Sequence, residues 1–264
     1  MGSATRGALA GSKAALAELG RAELPVAEAL LAVGRVIGES GHLRTALIDT
    51  EADLAQKRAL VEAVFGARIP AEAASLLVSL ASRRWSSGDD FLAGIEEIGI
   101  RVAAESAAEG VDIDAELFAF ERAVAGDAEL ELALGSKLGD PAAKTKIVDR
   151  LLAGKAAPQT VVIVNHLVQQ PRGRRIGELL RHGASVVADQ RGFDIATVTS
   201  AVPLSAAQLG RLEQGLAAQA GRRVRFDTIV DPAVLGGIRV QIGDDVIDGS
   251  VASRLSSLRQ KLAG

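Results

Sequence analysis

The sequence reads as a mainly α protein with a small α/β C-terminal domain, in which two tandem helical-bundle copies precede a β-α-β-β-β-α end. Three observations predict this. From Ala8 to Gln190 apolar residues recur three and four apart between short breaks at Gly and Pro, which is the period of amphipathic helices. A displacement of 87 positions lays the two halves of that region over one another without a gap. After Phe193 the period drops to two, with β-branched runs separated by turn residues.

Composition sets the bounds. At 264 residues and 48% hydrophobic content the chain can hold one large or two to three small domains with real cores. Zero cysteines exclude disulfides, thiolate nucleophiles and cysteine zinc sites, and suit a reducing cytoplasm. A net charge of -3 gives no basic field, and 3% aromatics with no Tyr give few rings for base stacking, so nucleic acid is not an expected partner. The first seven residues lack the charged start, apolar run and cleavage site of a secretion signal, and no apolar stretch reaches membrane-spanning length. The expectation is a chain that neither spans a bilayer nor is exported.

In the helical region the 87-position displacement brings Leu43, Leu47, Lys57, Val61, Leu80 and Leu92 onto Leu130, Leu134, Lys144, Val148, Leu167 and Leu179. Leu60 falls on Ile147 and Leu76 on Ile163, so an internal duplication is expected. The expected domains are 1–98, 99–192 and 193–264, with a helix between Phe91 and Ala108 shared by the two copies. In the last domain Ile195 to Val202 reads as a strand that Pro203 ends, and Ser205 with Gln208 forms a capping-box start for a helix running to Gly221. Arg222 to Val230 is a second strand, where Val224 and Phe226 alternate with Arg223, Arg225 and Asp227. Asp231-Pro232 ends it, since proline donates nothing to a ladder. Gly236-Gly237 suits positive φ or close backbone approach. Ile238, Val240 and Ile242 then form a strand, Gly243-Asp244-Asp245 a hairpin turn, Val246-Ile247 the next strand and Asp248-Gly249 another turn. Ser250 caps a final helix whose Val251, Leu255, Leu258 and Leu262 share a face.

The chemistry-bearing residues favour structural roles. Gly11-Ser12-Lys13 and Gly154-Lys155-Ala156 lack the spacing and the following Ser or Thr of a phosphate-binding loop. His42, His166 and His182 show no metal-ligand or base arrangement and read as solvated or hydrogen-bonded. Asp231, Asp244, Asp245 and Asp248 read as turn residues rather than a hard-metal cluster. Arg172, Arg174, Arg175 and Arg181 read as a solvated face, with contact to an acidic partner or to phospholipid heads as the alternative. Trp85 reads as a core or rim aromatic, with an interface as the alternative, and Val161–Val164, Leu167 and Val168 read as core. No catalytic, cofactor-binding or metal site is expected.

The ordered set Val224, Phe226, Asp231, Pro232, Leu235, Gly236, Gly237, Val240, Gly243, Ile247, Asp248, Gly249 and Ser250 resembles the signature of the F-type ATP synthase δ subunit family, known in mitochondria as the oligomycin-sensitivity-conferring protein. The resemblance extends upstream through Val198 to Ser205, the usual entry to that family's C-terminal domain. It implies a non-catalytic stator, or peripheral-stalk, subunit of a proton-translocating ATP synthase. Its partners would be the N-terminal helices of α subunits and the C-terminal ends of b-type stalk subunits. The implied location is peripheral, on the cytoplasmic face of the cell membrane and held there through the complex. The family ordinarily carries one helical domain, so the second copy would be the usual one and the first the extra one, an arrangement that resembles the long actinobacterial form. The extra copy is expected to present a similar groove and to strengthen attachment by linkage. A rival reading is a helical-repeat adaptor for amphipathic helices of another complex.

Overall fold

A computed structural model describes residues 2–136, 139–220, 223–234, 236–242 and 245–249. The chain divides into two compact units, Met1–Val187 and Ala188–Gly264. It is mainly helical, with one small mixed sheet.

The first unit holds α1 (Ser3–Leu19), α2 (Leu24–Glu39), α3 (Gly41–Ile48), α4 (Leu54–Val64), α5 (Ala71–Ala81), α6 (Gly88–Ser106), α7 (Ile113–Ala125), α8 (Ala128–Gly135), α9 (Pro141–Leu152) and α10 (Pro158–Gln169). The last helix of the bundle, α11 (Ile176–Gln190), runs into the second unit. The helix starts are written locally. Ser40 Oγ accepts from Leu43 N at 3.2 Å, and Asp53 and Gln56 make a reciprocal capping box at 2.8 and 2.9 Å. Asp127 and Asp140 cap α8 and α9, and prolines occupy the first turns of α2, α9 and α10, where a missing N–H costs nothing.

The same 87-position displacement carries α3 onto α8, α2 onto α7, and α4 and α5 onto α9 and α10, with ends agreeing to within two residues. It carries α1 onto α6 and α6 onto α11, so α6 closes the first set of helices and opens the second. That double duty explains its burial. Nearly every residue from Phe91 to Ala104 is buried, because both sets pack against it. Matched positions have matched surroundings: Leu47 and Leu134, Val61 and Val148, and Leu80 and Leu167 are all core. Lys57 and Lys144 are buried too, and each donates from Nζ to the end of the following helix, to Ala81 O at 2.7 Å and to Val168 O at 3.2 Å. Burial lowers both lysine pKa values, and the carbonyls of a helix C-terminus supply the compensating negative end of a dipole.

The second unit is built on β1 (Phe193–Ser200), α12 (Ala206–Ala220), β2 (Arg223–Val230), β3 (Ile238–Ile242) and β4 (Asp245–Asp248). The sheet order is β2-β1-β3-β4, with β1 and β2 parallel and the other neighbours antiparallel. The parallel pair requires a crossover, which α12 supplies. Ser205 and Gln208 start that helix with the expected reciprocal bonds. In register, Val198 stands opposite Val240, and with Ala196, Val224 and Leu216 of α12 these residues form the core. β1 starts and stops two residues before the stretch expected from alternation, and just past its end Ser200 Oγ donates to Val202 O at 2.7 Å. The alternation also fails at Asp227, which is buried. Gly221 and the final helix expected from Ser250 onward lie outside the described residues.

Candidate functional site

The signature residues build turns and a core. Val224 and Val240 are buried, and Phe226 packs beside them. Asp231 Oδ1 accepts from Ala233 N at 2.9 Å, which tightens the turn at Pro232. Gly236 and Gly237 have φ values of 70° and 80°, a region that side chains bearing Cβ rarely adopt. Gly249 N donates to Ile238 O at 2.9 Å, so the chain leaving β4 stays tied to the start of β3. Ile247, opposite Val240, is half exposed, and Asp248 stands opposite Arg239. Asp245 and Asp248 are therefore strand residues rather than turn residues. Leu235, Gly243, Asp244 and Ser250 lie outside the described residues.

The most concentrated charge in the helical unit is one that sequence reasoning passed over. Glu96, on α6, is 2% exposed. Arg174 Nη2 donates to both of its oxygens at 2.9 Å, Arg172 Nη2 approaches Oε2 at 2.8 Å, and His166 Nε2 lies 3.3 Å from Oε2. Behind the imidazole, Arg35 Nη1 lies 3.4 Å from His166 Nδ1. One carboxylate thus gathers α6, α10 and the segment after α10, while α2 closes the back of the cluster. Arg172 sits at φ 47°, the only non-glycine residue with positive φ among those described, and its place beside Glu96 accompanies that conformation.

Burial pushes the Glu96 carboxyl up, but the His166 hydrogen bond and the Arg172 and Arg174 guanidiniums more than offset it and hold the group down to about 2. Burial outweighs Glu96 at His166 and lowers the imidazole below its usual range. The imidazole is therefore neutral near pH 7, and the two arginines alone balance the carboxylate charge. A carboxylate held this firmly is a poor proton carrier near neutrality, and its chemistry is that of a clamp.

Arg172 and Arg174, read from sequence as a solvated or partner-facing group, instead turn inward onto Glu96, and Arg181 pairs with Glu121. Arg175 is exposed, as are His42 and His182. Trp85 belongs to the core: its Nε1 donates to Leu80 O at 2.8 Å, and the ring packs on Phe91 where Gly94 leaves room. Ile163, Val164, Leu167 and Val168 are core. The signal that would have found the cluster is the pair Glu96-Glu97 set among Ile95, Ile98, Ile100 and Val102 of one helix, because a buried acid demands partners from elsewhere in the chain.

A groove of about 450 Å³ lies beside α8, lined by Leu132, Gly135, Pro171, Arg175 and neighbouring residues, with Leu132 74% exposed. No helix among the described residues is long and apolar enough to cross a membrane.

Comparison with known proteins agrees over most of the chain. The family model described as ATP synthase delta (OSCP) subunit matches residues 100–262. The ATP synthase subunit delta of Leifsonia xyli subsp. xyli is 57% identical over the whole of both chains. That of Beutenbergia cavernae is 36% identical over 94% of this chain and 93% of its own, and that of Streptomyces avermitilis 37% over 90% and 88%. A chain in the cryo-EM structure of the Toxoplasma gondii mitochondrial ATP synthase hexamer covers 64% of this chain and 96% of its own at 20% identity and a TM-score of 0.43, too loose a likeness to build on. Kinship running the length of the chain, through both sets of helices and the glycine-turned sheet, places this protein in the ATP synthase delta (OSCP) subunit family.

Proposed function

We propose that this chain is the stator joint of a proton-translocating F-type ATP synthase, holding the catalytic head still against rotor torque. Its helical unit receives N-terminal helices of α subunits, and its C-terminal domain holds the ends of b-type stalk helices. Both are helix-in-groove contacts, in which several apolar anchors share the load. The observation that carries the reading is the family match through residues 100–262 joined to 57% identity over the full length of a relative named for the same subunit.

The domain division follows from the same reading. Residues 1–98 are the added helical copy, 99–192 the family's own helical domain and 193–264 the α/β domain. The start of the family match at residue 100 and the sharing of α6 at the junction support it. The protein has no active site of its own and works at the cytoplasmic face of the cell membrane, held there by the complex. A joint that resists torque has to be stiff, and the Glu96 clamp suits it to that task by locking the two sets of helices together.

Copurification tests the proposal. The full chain, expressed at native level and isolated under mild conditions, is expected to bring down the α and β subunits of the head together with a b-type subunit. Recovery of a different complex without these subunits would replace the stator with the adaptor reading.

A further inference from the structure

Helix α2 belongs to the first copy, yet its C-terminal half lies against α10 of the second. Gln170 Nε2 donates to Arg35 O at 3.3 Å, Gly38 has the Gln170 amide against it, and Arg35 Nη1 lies 3.4 Å from His166 Nδ1. The chemistry of these groups fixes the proton on the ring. A guanidinium can only donate, so Nδ1 accepts from Arg35. The ionised Glu96 can only accept, so Nε2 carries the hydrogen and donates to Oε2 at 3.3 Å. His166 is 3% exposed, with both ring nitrogens committed.

A second proton has one place to go, Nδ1, and there it sets an N–H against the N–H of Arg35 and one positive charge against another. The surrounding elements do not relieve this. α2 presents Arg35, with Glu39 acting on the guanidinium; α6 presents Glu96, with Glu97 beyond it; the segment after α10 presents Arg172 and Arg174; and α11 presents His182, which faces the same carboxylate. The charged groups that α7 and α9 bring to α10 are engaged elsewhere: Glu116 by Thr160, Asp149 by Asn165 and Lys144 by Val168 O. Among the described residues Glu96 is the one carboxylate that bonds the ring, and it already faces two guanidiniums. None of this belongs to the repeated framework. Displaced by 87 positions, Leu9, Ser79, Trp85 and Ser87 stand where the second copy has Glu96, His166, Arg172 and Arg174. The titratable set exists only where the copies meet.

We propose that Arg35 and His166 form a proton-operated latch between the two helical copies: a proton taken up at His166 Nδ1 expels the Arg35 side chain and loosens the end of α2 from α10. Arg35 is only half-buried, so its guanidinium can swing out toward Glu39, one turn further along α2 and exposed. The rest of α2 stays in place, because Ile95 packs on Gly34 and Leu31 on Gly99, and Leu30 and Ile37 are fully buried. The movement is thus confined to the crossing of α2 with the end of α10. Burial holds the imidazole below its usual range while the latch is closed, and water reaching Nδ1 returns it toward about 6.5 once the latch is open. The closed form is therefore fully favoured above about pH 6.5 and gives way as pH falls below it. In a stator joint, acid would soften the connection between the copies; that consequence rests on the stator reading, while the latch itself is a property of the chain alone.

The test uses the isolated full-length chain with nitrogen-15 in its 3 histidines, read by NMR, together with amide hydrogen exchange corrected for the intrinsic effect of pH. At about pH 7.5 the His166 ring is expected as the Nε2–H tautomer. Between about pH 6.5 and about pH 5.5, exchange at residues 35–39 and 166–170 is expected to rise by up to about tenfold per pH unit, with α4 unchanged. Glu96 stays ionised over that range, so it does not contribute. His166→Gln can accept from Arg35 and donate to Glu96 without titrating, and is expected to flatten the pH dependence. Arg35→Met removes the opposing charge and is expected to move protonation of His166 to higher pH. An Nδ1–H tautomer in the wild type, an equal pH dependence in wild type and His166→Gln, or an unmoved His166 titration in Arg35→Met would each overturn the latch. The tautomer is read on the wild type, so the test holds even if a variant fails to fold. Any of these failures leaves the stator reading standing, since copurification decides that separately.

Discussion

Replacing Glu96 by Gln tests whether a single carboxylate locks the two sets of helices together. The substitution keeps the size of the side chain and some of its hydrogen bonds but removes the charge that faces Arg172 and Arg174. Removing one member of a buried ion pair costs about 3–5 kcal/mol, because the partner charge stays behind without compensation. Here the side chains of Arg172 and Arg174 are 21% and 31% exposed, so both guanidiniums recover part of their hydration, and the lower end of that range applies, about 3 kcal/mol. For a unit of this size that is a fall in melting temperature of about 6–12 °C. Calorimetry of the full chain at pH 7 reads it directly.

The pH dependence supplies a second check on the same substitution. The folded-state pKa of Glu96 is depressed to about 2, so its stabilisation is complete above the ordinary glutamate value and is lost as pH falls from there toward 2. The gap between wild type and Glu96→Gln should therefore be constant from pH 6 to 8 and close on acidification below about pH 4.3. The His166 imidazole, also depressed, adds its own loss on the acid side, beginning as pH falls through about 6.5. A melting temperature for Glu96→Gln equal to that of wild type at pH 7 would refute the clamp, and a gap that stayed open at pH 2 would refute its electrostatic basis.

Two further substitutions probe the fold. Lys57→Met and Lys144→Met each leave a helix-terminal carbonyl without its buried donor, and each should cost about 1–3 kcal/mol; near-equal losses in chemical denaturation are expected if the two copies use the lysine alike, whereas a loss in one copy alone would break that equivalence. Gly237→Val forces a β-branched residue to φ 80° and should destabilise the C-terminal domain by about 1–3 kcal/mol, as read by loss of sheet signal at lower denaturant, while an unchanged midpoint would show that the turn tolerates a side chain.

What the sequence determined by itself is what depends on near neighbours along the chain. Helical period, capping pairs such as Asp53 with Gln56, the Ser205–Gln208 helix start, the breaks at Pro203 and Pro232 and the positive φ at Gly236 and Gly237 are set within a few residues, so local steric and hydrogen-bonding rules suffice to read them. The duplication was legible for a related reason. Equal spacing preserves the matching apolar positions, and the folded chain gives them matching burial, as at Val61 and Val148. The signature in the α/β end was legible because its glycines and aspartates are demanded by particular turns.

Tertiary structure decided where charge goes. Nothing within several residues of Glu96 reveals Arg172 or Arg174, which arrive from more than seventy positions away, and the same arginines read as surface residues because a charged side chain usually is one. Asp227 likewise breaks its strand's alternation through burial that only the assembled sheet and its surroundings impose. The use of α2 to cover the second copy was equally hidden, since a repeat in sequence fixes the shape of each unit but not which unit's face ends up covered. That outcome follows from how successive copies pack. Burial energy is gained only where surfaces meet, and α2 meets the end of α10 only once the chain has folded.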